Sequence, residues 1–296
     1  MKKQRVDLIV IDGQNDFLEP TGALSVAGAD KEADRVATMV ADNIDAWDKI
    51  HASLDEHHLN DGSHNMHWRD RQGNVVPAYT IVSHDDVQSQ KYRPGFRFGV
   101  WEGETVTARQ WALNYTEALA KRGRASLCLW PPHCLIGTPG ANVYEPLMQA
   151  YNKWCESTGA WINFISKGTW AFTEHYSALQ ADVPDPTKPQ TQLNSSVINN
   201  VAGADKVVWL GWAGSHCLAW TAYDGVNNFE PSDADKSNGA VNEFIKKCIF
   251  LEDACAPVPN PSGDVPNFVQ NRQDFLDEME QRGAIISTTT DVIKLL

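Results

Sequence analysis

The sequence predicts an α/β fold, a three-layer α/β/α arrangement with a mostly parallel central sheet. Two observations carry this. Short, β-branched apolar runs alternate with longer stretches whose apolar residues recur every three to four positions, the pattern of strands joined by crossover helices. Hydrophobic residues make up 42% and charged residues 21% of the 296 positions, a globular balance that excludes a disordered chain. A chain of this length suits one large domain or two ordinary ones.

The elements follow in order. Val6 to Ile11 (VDLIVI) reads as a buried strand ending at Asp12. From about Asp30 to Leu54, the residues Ala33, Val36, Val40, Ile44, Trp47, Ile50 and Leu54 keep helical spacing. Leu59 to Val76 is polar and reads as an insertion. It lies within a cluster formed by His51, His57, His58, His64 and His67, which is either a metal-binding set or a solvated loop. Tyr79 to Ser83 reads as a second strand. Thr105 to Lys121 reads as a helix stopped by Gly123. A short strand at Ser126–Trp130, a helix at Tyr144–Cys155 and a strand at Trp161–Ile165 follow. The strand Lys206–Leu210 leads into a helix at Leu218–Val226. Asn227 to Gly239 is a second polar insertion. Cys248–Leu251, Asn267–Gln281 and Ala284–Ser287 complete the series as strand, helix and strand.

Net charge is −13, which disfavours a nucleic-acid backbone or an anionic membrane as partner. No apolar run approaches the ~20 residues of a membrane span. The apolar stretch after the basic N-terminus is too short for a signal peptide. The six cysteines include no Cys-x-x-Cys pair. Together these point to a cytoplasmic protein with reduced thiols, one of which is available as a nucleophile.

Three residues stand at three strand ends. Asp12 follows the first strand, Lys167 follows the Trp161–Ile165 strand, and Cys217 follows Lys206–Leu210 where a helix begins. In parallel sheets reactive groups collect at such ends. An ammonium and a helix N-terminus both lower a thiol's pKa. A carboxylate nearby can take the thiol proton and return it to a leaving amine. The turn at residues 211–217 can aim N–H groups at an oxyanion. Taken singly, each residue also has a structural reading: a turn cap, a strand terminus, a small buried hydrophobe.

The motifs are more specific than the spacing. Ile11-Asp-Gly-Gln-Asn-Asp-Phe17 with Gly22–Ala29 resembles the opening signature of the isochorismatase-like cysteine hydrolases. Trp130-Pro-Pro-His-Cys134 is similar to a segment typical of the nicotinamidase branch. Lys167-Gly-Thr with His175-Tyr-Ser-Ala-Leu179, and Gly211-Trp-Ala-Gly-Ser-His-Cys217 with Thr221–Asp224, resemble the lysine and nucleophile blocks of that family. The resemblance implies the isochorismatase-like hydrolase fold as a single domain over residues 1–296, with insertions near 55–76, 101–125 and 227–245. It implies Cys217 as nucleophile, Asp12 as proton shuttle, Lys167 as support, and an oxyanion hole from Ala213 and Cys217 after a cis Trp212–Ala213 peptide. Phe17, Leu24, Trp130 and Tyr176 would line the substrate pocket.

The same resemblance implies a divalent metal, zinc or similar, held by an Asp-x-His pair and the histidine of Trp-Pro-x-His-Cys. Asp85 and His133 stand in those places, while Val87 and Arg93 replace the expected histidines. Two ligands fall one short of a catalytic zinc site, so binding of a metal stays open, with Arg93 or His133 able to hold the substrate's ring nitrogen instead. The function implied is hydrolysis of nicotinamide to nicotinate and ammonia. A metal-independent hydrolase of another small amide, a carbamoyl or ureido compound, and a catalytically silent binding protein on the same fold are the alternatives. The partner is a small-molecule amide rather than a nucleic acid or a membrane, and a homo-oligomer is left open.

Overall fold

The computed structural model describes residues 4–237, 240–258 and 268–296. Six strands form one sheet: β1 (Val6–Ile11), β2 (Lys49–Asp55), β3 (Asn163–Lys167), β4 (Lys206–Gly211), β5 (Cys248–Leu251) and β6 (Ile285–Ser287). Their order is β6-β5-β4-β1-β2-β3, and every pair is parallel. Each strand of β1 and β5 is buried along its whole length, as a parallel sheet covered on both faces requires. Because all strands point the same way, their carboxyl ends share one rim. Asp55 of β2 and Lys167 of β3 are register partners there, and so are Ile11 of β1 and Gly211 of β4.

The helices α1 (Ala29–Asp42), α2 (Ala108–Arg122), α3 (Glu145–Thr158), α4 (Ser195–Ala202), α5 (Cys217–Asn227) and α6 (Phe268–Arg282) divide by location. α4 and α5 close over Ile9, Ile11, Ile165 and Trp209 of the sheet. α6 joins that side through Phe275, edge-on to Phe250 at 5.4 Å. α1 and α3 pack on each other, and on their side Leu147 and Val10 close around Gly13. No helix among the described residues is long and apolar enough to cross a membrane.

A second, smaller core lies beside the sheet. It gathers Trp68, Val76, Val82, Val87, Leu127 and Leu129 around Trp111, Tyr115 and Leu119 of α2. Trp111 is fully buried, stacked on Tyr115 at 5.3 Å, and its Nε1 donates to the Phe172 carbonyl at 3.0 Å. The expected insertion 101–125 is thus mostly α2. Thr107 caps it by accepting the Gln110 N–H, and Gly123 ends it in the left-handed region at φ 63°. In the expected insertion 227–245, Asn242 is buried and donates to the Val226 carbonyl, while residues 238 and 239 lie outside the described residues. So does Asn267, where the last helix was expected to start.

Two expectations fail near the site. The helix expected to run to Leu54 ends at Asp42; a short turn at Ile44–Ala46 follows, and Lys49–Asp55 is β2. Ile50 and Leu54 sit at helical spacing by coincidence, since a short buried strand cannot be told from a helix by apolar period. The run Tyr79–Ser83 is not in the central sheet. Ile81–Val82 pair antiparallel with Leu127–Cys128, and Ser83 begins a short helix, His84–Gln88, with a reciprocal cap to Asp86. The strand expected at Trp161–Ile165 lies two residues later, so Lys167 is the last residue of β3 rather than beyond it.

Truncation of Trp111 removes the centre of the second core. Trp111→Ala is expected to lower stability by about 3–5 kcal/mol, read from urea unfolding followed by circular dichroism. A loss below ~1 kcal/mol would mean that this cluster is not a cooperative core.

Candidate functional site

Asp12, Lys167 and Cys217 meet at the carboxyl rim. Lys167 Nζ lies 3.0 Å from Asp12 Oδ2, 2.9 Å from Asp55 Oδ1 and 3.7 Å from Cys217 Sγ. All four residues are buried. Asp12 is fixed further by Ser53, whose hydroxyl donates to Oδ1 at 2.5 Å and accepts the Asp12 N–H at 2.9 Å. Gln14 grips the backbone of Asp55 from both sides, accepting its N–H and donating to its carbonyl, each at 2.7 Å.

Burial governs the protonation states. It pushes the Cys217 thiol well above its ordinary value, and Lys167 only partly opposes this. The Asp12 and Asp55 charges add to burial, so the resting group keeps its proton, against the lowering that an ammonium and a helix N-terminus would give alone. Burial also raises Asp12, against the pull of Lys167. Burial would likewise raise Asp55, but the His57 and Lys167 charges hold it well below the usual carboxylate range. Lys167 itself stays protonated: burial lowers it, and Asp12 and Asp55 more than restore it. A carboxylate able to accept a proton thus stands beside a thiol that still holds one.

The nucleophile loop is shaped by backbone. Gly211 has φ 154°, and a Cβ there would meet the Ile11 carbonyl oxygen at 2.6 Å. No cis peptide occurs among the described residues. The Trp212–Ala213 bond is trans, contrary to expectation, and Ala213 turns the chain with φ 59° in the left-handed region instead. Cys217 opens α5, so its N–H has no intrahelical acceptor and is available for an oxyanion.

Of the expected pocket residues, Phe17 lies edge-on to His133 at 5.5 Å. Trp130 lies edge-on to His216 at 5.3 Å and donates from Nε1 to the Tyr176 hydroxyl at 3.1 Å. Leu24 is buried in the main core, its N–H on the Asp16 carbonyl. Arg93 is not part of this group. It is exposed on a two-stranded ribbon opposite Arg69.

The metal-ligand expectation is corrected in the same way. Asp85 sits in the first turn of the His84–Gln88 helix, in a groove with Thr116, Glu117 and Lys121, and Val87 is buried in the second core. The Asp-x-His pair beside His133 is Asp55-Glu-His57. The ligand atoms of Asp55, His57 and His133 lie within 4.8 Å of one another, with Asp55 Oδ2 at 3.2 Å from His57 Nε2 and 3.4 Å from His133 Nε2. Mistaking β2 for helix hid this pair, although the Asp55–His57 spacing and the histidine cluster were both visible. His64 stands beside this group rather than within it, its ring 5.3 Å from that of His57 and 5.8 Å from that of His133.

The set fits a divalent cation. Each imidazole has Nδ1 against an oxygen: His57 against Asp61 at 3.1 Å, His64 against the Leu59 carbonyl at 3.1 Å, His133 against the Pro131 carbonyl at 2.8 Å. That leaves the Nε2 lone pairs for a metal. The Nε2 atoms of His57 and His64 are buried without a hydrogen-bond partner. Burial pushes His64 down to about 4, so it is neutral, as a ligand must be. One carboxylate with two or three imidazoles suits zinc and its first-row neighbours.

Lys167→Met would leave Asp12 and Asp55 buried without their ammonium. The expected loss near neutral pH is about 3–5 kcal/mol. Asp55 is depressed in the folded state, so its contribution is present above its unfolded pKa and lost as pH falls through the folded value. The variant's deficit should therefore shrink as the solution is acidified into the carboxylate range. Urea unfolding at pH 7 and at about pH 3, below the ~3.9 of a free Asp, checks this, and an unchanged deficit would contradict it.

No protein-family model matches the chain. A nicotinamidase/pyrazinamidase of Mycobacterium tuberculosis is 33% identical over 99 residues, covering 33% of this chain and 44% of that protein, so this match spans less than half of the relative's length. A nicotinamidase of Saccharomyces cerevisiae is 24% identical over 215 residues, covering 73% of this chain and 78% of that protein. Among solved structures, a nicotinamidase/pyrazinamidase of Acinetobacter baumanii superposes with a TM-score of 0.59 at 21% identity, over 99% of this chain and 100% of the other. The chain is thus similar in sequence to these two nicotinamidases and shares the fold of the third protein.

Proposed function

We propose that the chain is a single-domain cysteine amidohydrolase of the nicotinamidase type, which converts nicotinamide and water to nicotinate and ammonia. The observation that carries this reading is Lys167 Nζ placed between Asp12 Oδ2 at 3.0 Å and Cys217 Sγ at 3.7 Å. The names of the two curated relatives support the choice of amide.

In this reading Asp12 accepts the proton of Cys217 as the sulfur attacks the carboxamide carbon. Lys167 stabilises the thiolate while it exists. The N–H groups of Cys217 and Ala213 receive the negative oxygen of the tetrahedral intermediate. Asp12 then delivers its proton to the departing nitrogen, ammonia leaves, and a thioester remains on Cys217. A water molecule gives a proton to Asp12 and attacks the thioester. Collapse releases nicotinate and returns the proton to sulfur. Phe17, Trp130 and Tyr176 hold the flat ring.

Asp55, His57 and His133, with His64 beside them, would hold a divalent cation at the far end of this pocket. Held there, the cation would supply a Lewis acid for the substrate's ring nitrogen. The case for a metal-free enzyme rested on a site short of ligands, and Asp55 and His57 supply what Asp85 and Val87 do not. Six free cysteines suit a cytoplasmic setting.

Cys217→Ala is expected to abolish ammonia release from nicotinamide, a loss of at least ~1000-fold, while circular dichroism stays native. Ammonia release at the wild-type rate would remove Cys217 from the nucleophile's role. Unaltered wild-type protein that is inactive on nicotinamide, with and without zinc, yet active on another small amide, would keep the chemistry and change the substrate.

A further inference from the structure

We propose that Asp61 is a positioning residue that fixes the tautomer of His57 and so makes it a competent metal ligand. This rests on the reading of Asp55, His57 and His133 as a cation site. Asp61 is itself buried at 2% exposure. One of its oxygens, Oδ2, lies 3.1 Å from His57 Nδ1. The other, Oδ1, accepts the Ser63 N–H at 2.9 Å and the Ser63 hydroxyl at 2.8 Å. Every neighbour of the carboxylate is thus a donor, and an ionised carboxylate is acceptor-only. Without a cation, and against the lowering effect of burial, the Asp55 and Asp61 carboxylates on either side hold His57 well above its ordinary value. A cation that displaces the Nε2 proton leaves the other proton on Nδ1, facing Asp61. Nε2 lies 3.2 Å from Asp55 Oδ2, so both atoms can reach one cation.

Asp61 is held by the protein rather than by a metal. The His64 N–H donates to the Asp61 carbonyl at 3.1 Å, so the same turn orients a second histidine. The Gly62 N–H donates to the Ala171 carbonyl at 2.7 Å, and Trp68 Nε1 donates to the Gly62 carbonyl at 2.8 Å. A Cβ at Gly62 would stand 2.6 Å from the Trp111 ring, so only glycine lets this loop approach the second core so closely.

The geometry separates a positioning role from a space-filling one. In Asp61→Asn the amide has a single acceptor oxygen. The Ser63 N–H can only donate, so the oxygen goes to Ser63 and the NH2 group faces His57 Nδ1. That drives the imidazole proton to Nε2, which blocks the ligand position. In Asp61→Ala a water can accept from Nδ1 and the correct tautomer survives. The near-isosteric change should therefore harm metal binding more than the truncation.

The experiment is zinc titration of the full chain, stripped by chelator, against a chromophoric competitor, with circular dichroism of each stripped protein as the folding control. Wild type should bind one equivalent. Asp61→Ala should bind about 10-fold more weakly and Asp61→Asn about 100-fold more weakly. Asparagine equal to wild type, or milder than alanine, would overturn the proposal and leave the metal reading intact. Wild type binding no stoichiometric zinc would overturn both. Should Asp61→Asn not fold, 15N spectra of the histidines in zinc-loaded wild type decide: the proton on His57 Nδ1 and zinc on Nε2 is expected, and zinc on Nδ1 defeats the proposal.

Discussion

One buried ammonium organises the rim of this sheet. Lys167 is drawn from the edge strand β3, across β2, to reach the carboxylate at the end of β1. An isolated charge so deeply buried would be several kcal/mol unfavourable, and the lysine is tolerated because Asp12 and Asp55 both face it. The dependence is mutual, since neither carboxylate could stay ionised there alone. Two jobs are thereby joined through one nitrogen. Asp12 belongs to the sulfur chemistry and Asp55 to the histidine set, and the lysine holds the two at a fixed separation.

The backbone around this charge is bent in ways that ordinary strands avoid. Asp12, Cys134 and Ala213 all have φ between 46° and 59°, a region that disfavours residues with a Cβ. Each lies at or next to a group of the candidate site: the Asp12 carboxylate itself, His133, and the loop that leads to Cys217. The surrounding core over-determines these turns. Cys134 is wholly buried, and its N–H is held by Asp16 Oδ2 at 2.6 Å. The helical start of α5 and the tight Gly211 contact constrain the loop between them.

Much of this was legible in the residues. A mostly parallel sheet follows from the alternation of apolar runs, and β1, β4 and β5 were placed within a residue because β-branched runs bounded by Asp or Gly are unambiguous. Asp12, Lys167 and Cys217 were visible as strand-end residues carried by motifs. The histidine set was not. Lys49–Asp55 contains Ala52, Ser53 and Leu54 and few β-branched residues, so it lacks the composition of a strand, and its apolar positions extend the period of the preceding helix. With β2 misread, the Asp-x-His pair was sought at the next apolar run, Tyr79–Ser83. That run ends in a helix cap pointing elsewhere. Contacts that depend on distant loops, such as Asp61 on His57 or Trp130 on His216, leave no local signature. The eleven tryptophans carry none either, since aromatic content alone does not say which core a ring joins.

The second core bears on the site in a way its distance from Cys217 conceals. Trp68 and Trp111 close on Gly62, which sits between His57 and His64 in the chain. The sulfur side and, on the histidine side, Asp55 and the Trp130–Cys134 segment belong with the main sheet, while the loop 57–64 leans on this satellite. The site therefore straddles a seam between two separately packed bodies of side chains. A local opening of the satellite would scatter the imidazoles and leave Asp12, Lys167 and Cys217 assembled. In the proposed reading, affinity for a cation would gauge how firmly the two bodies are docked, and a tryptophan outside the site could tune it.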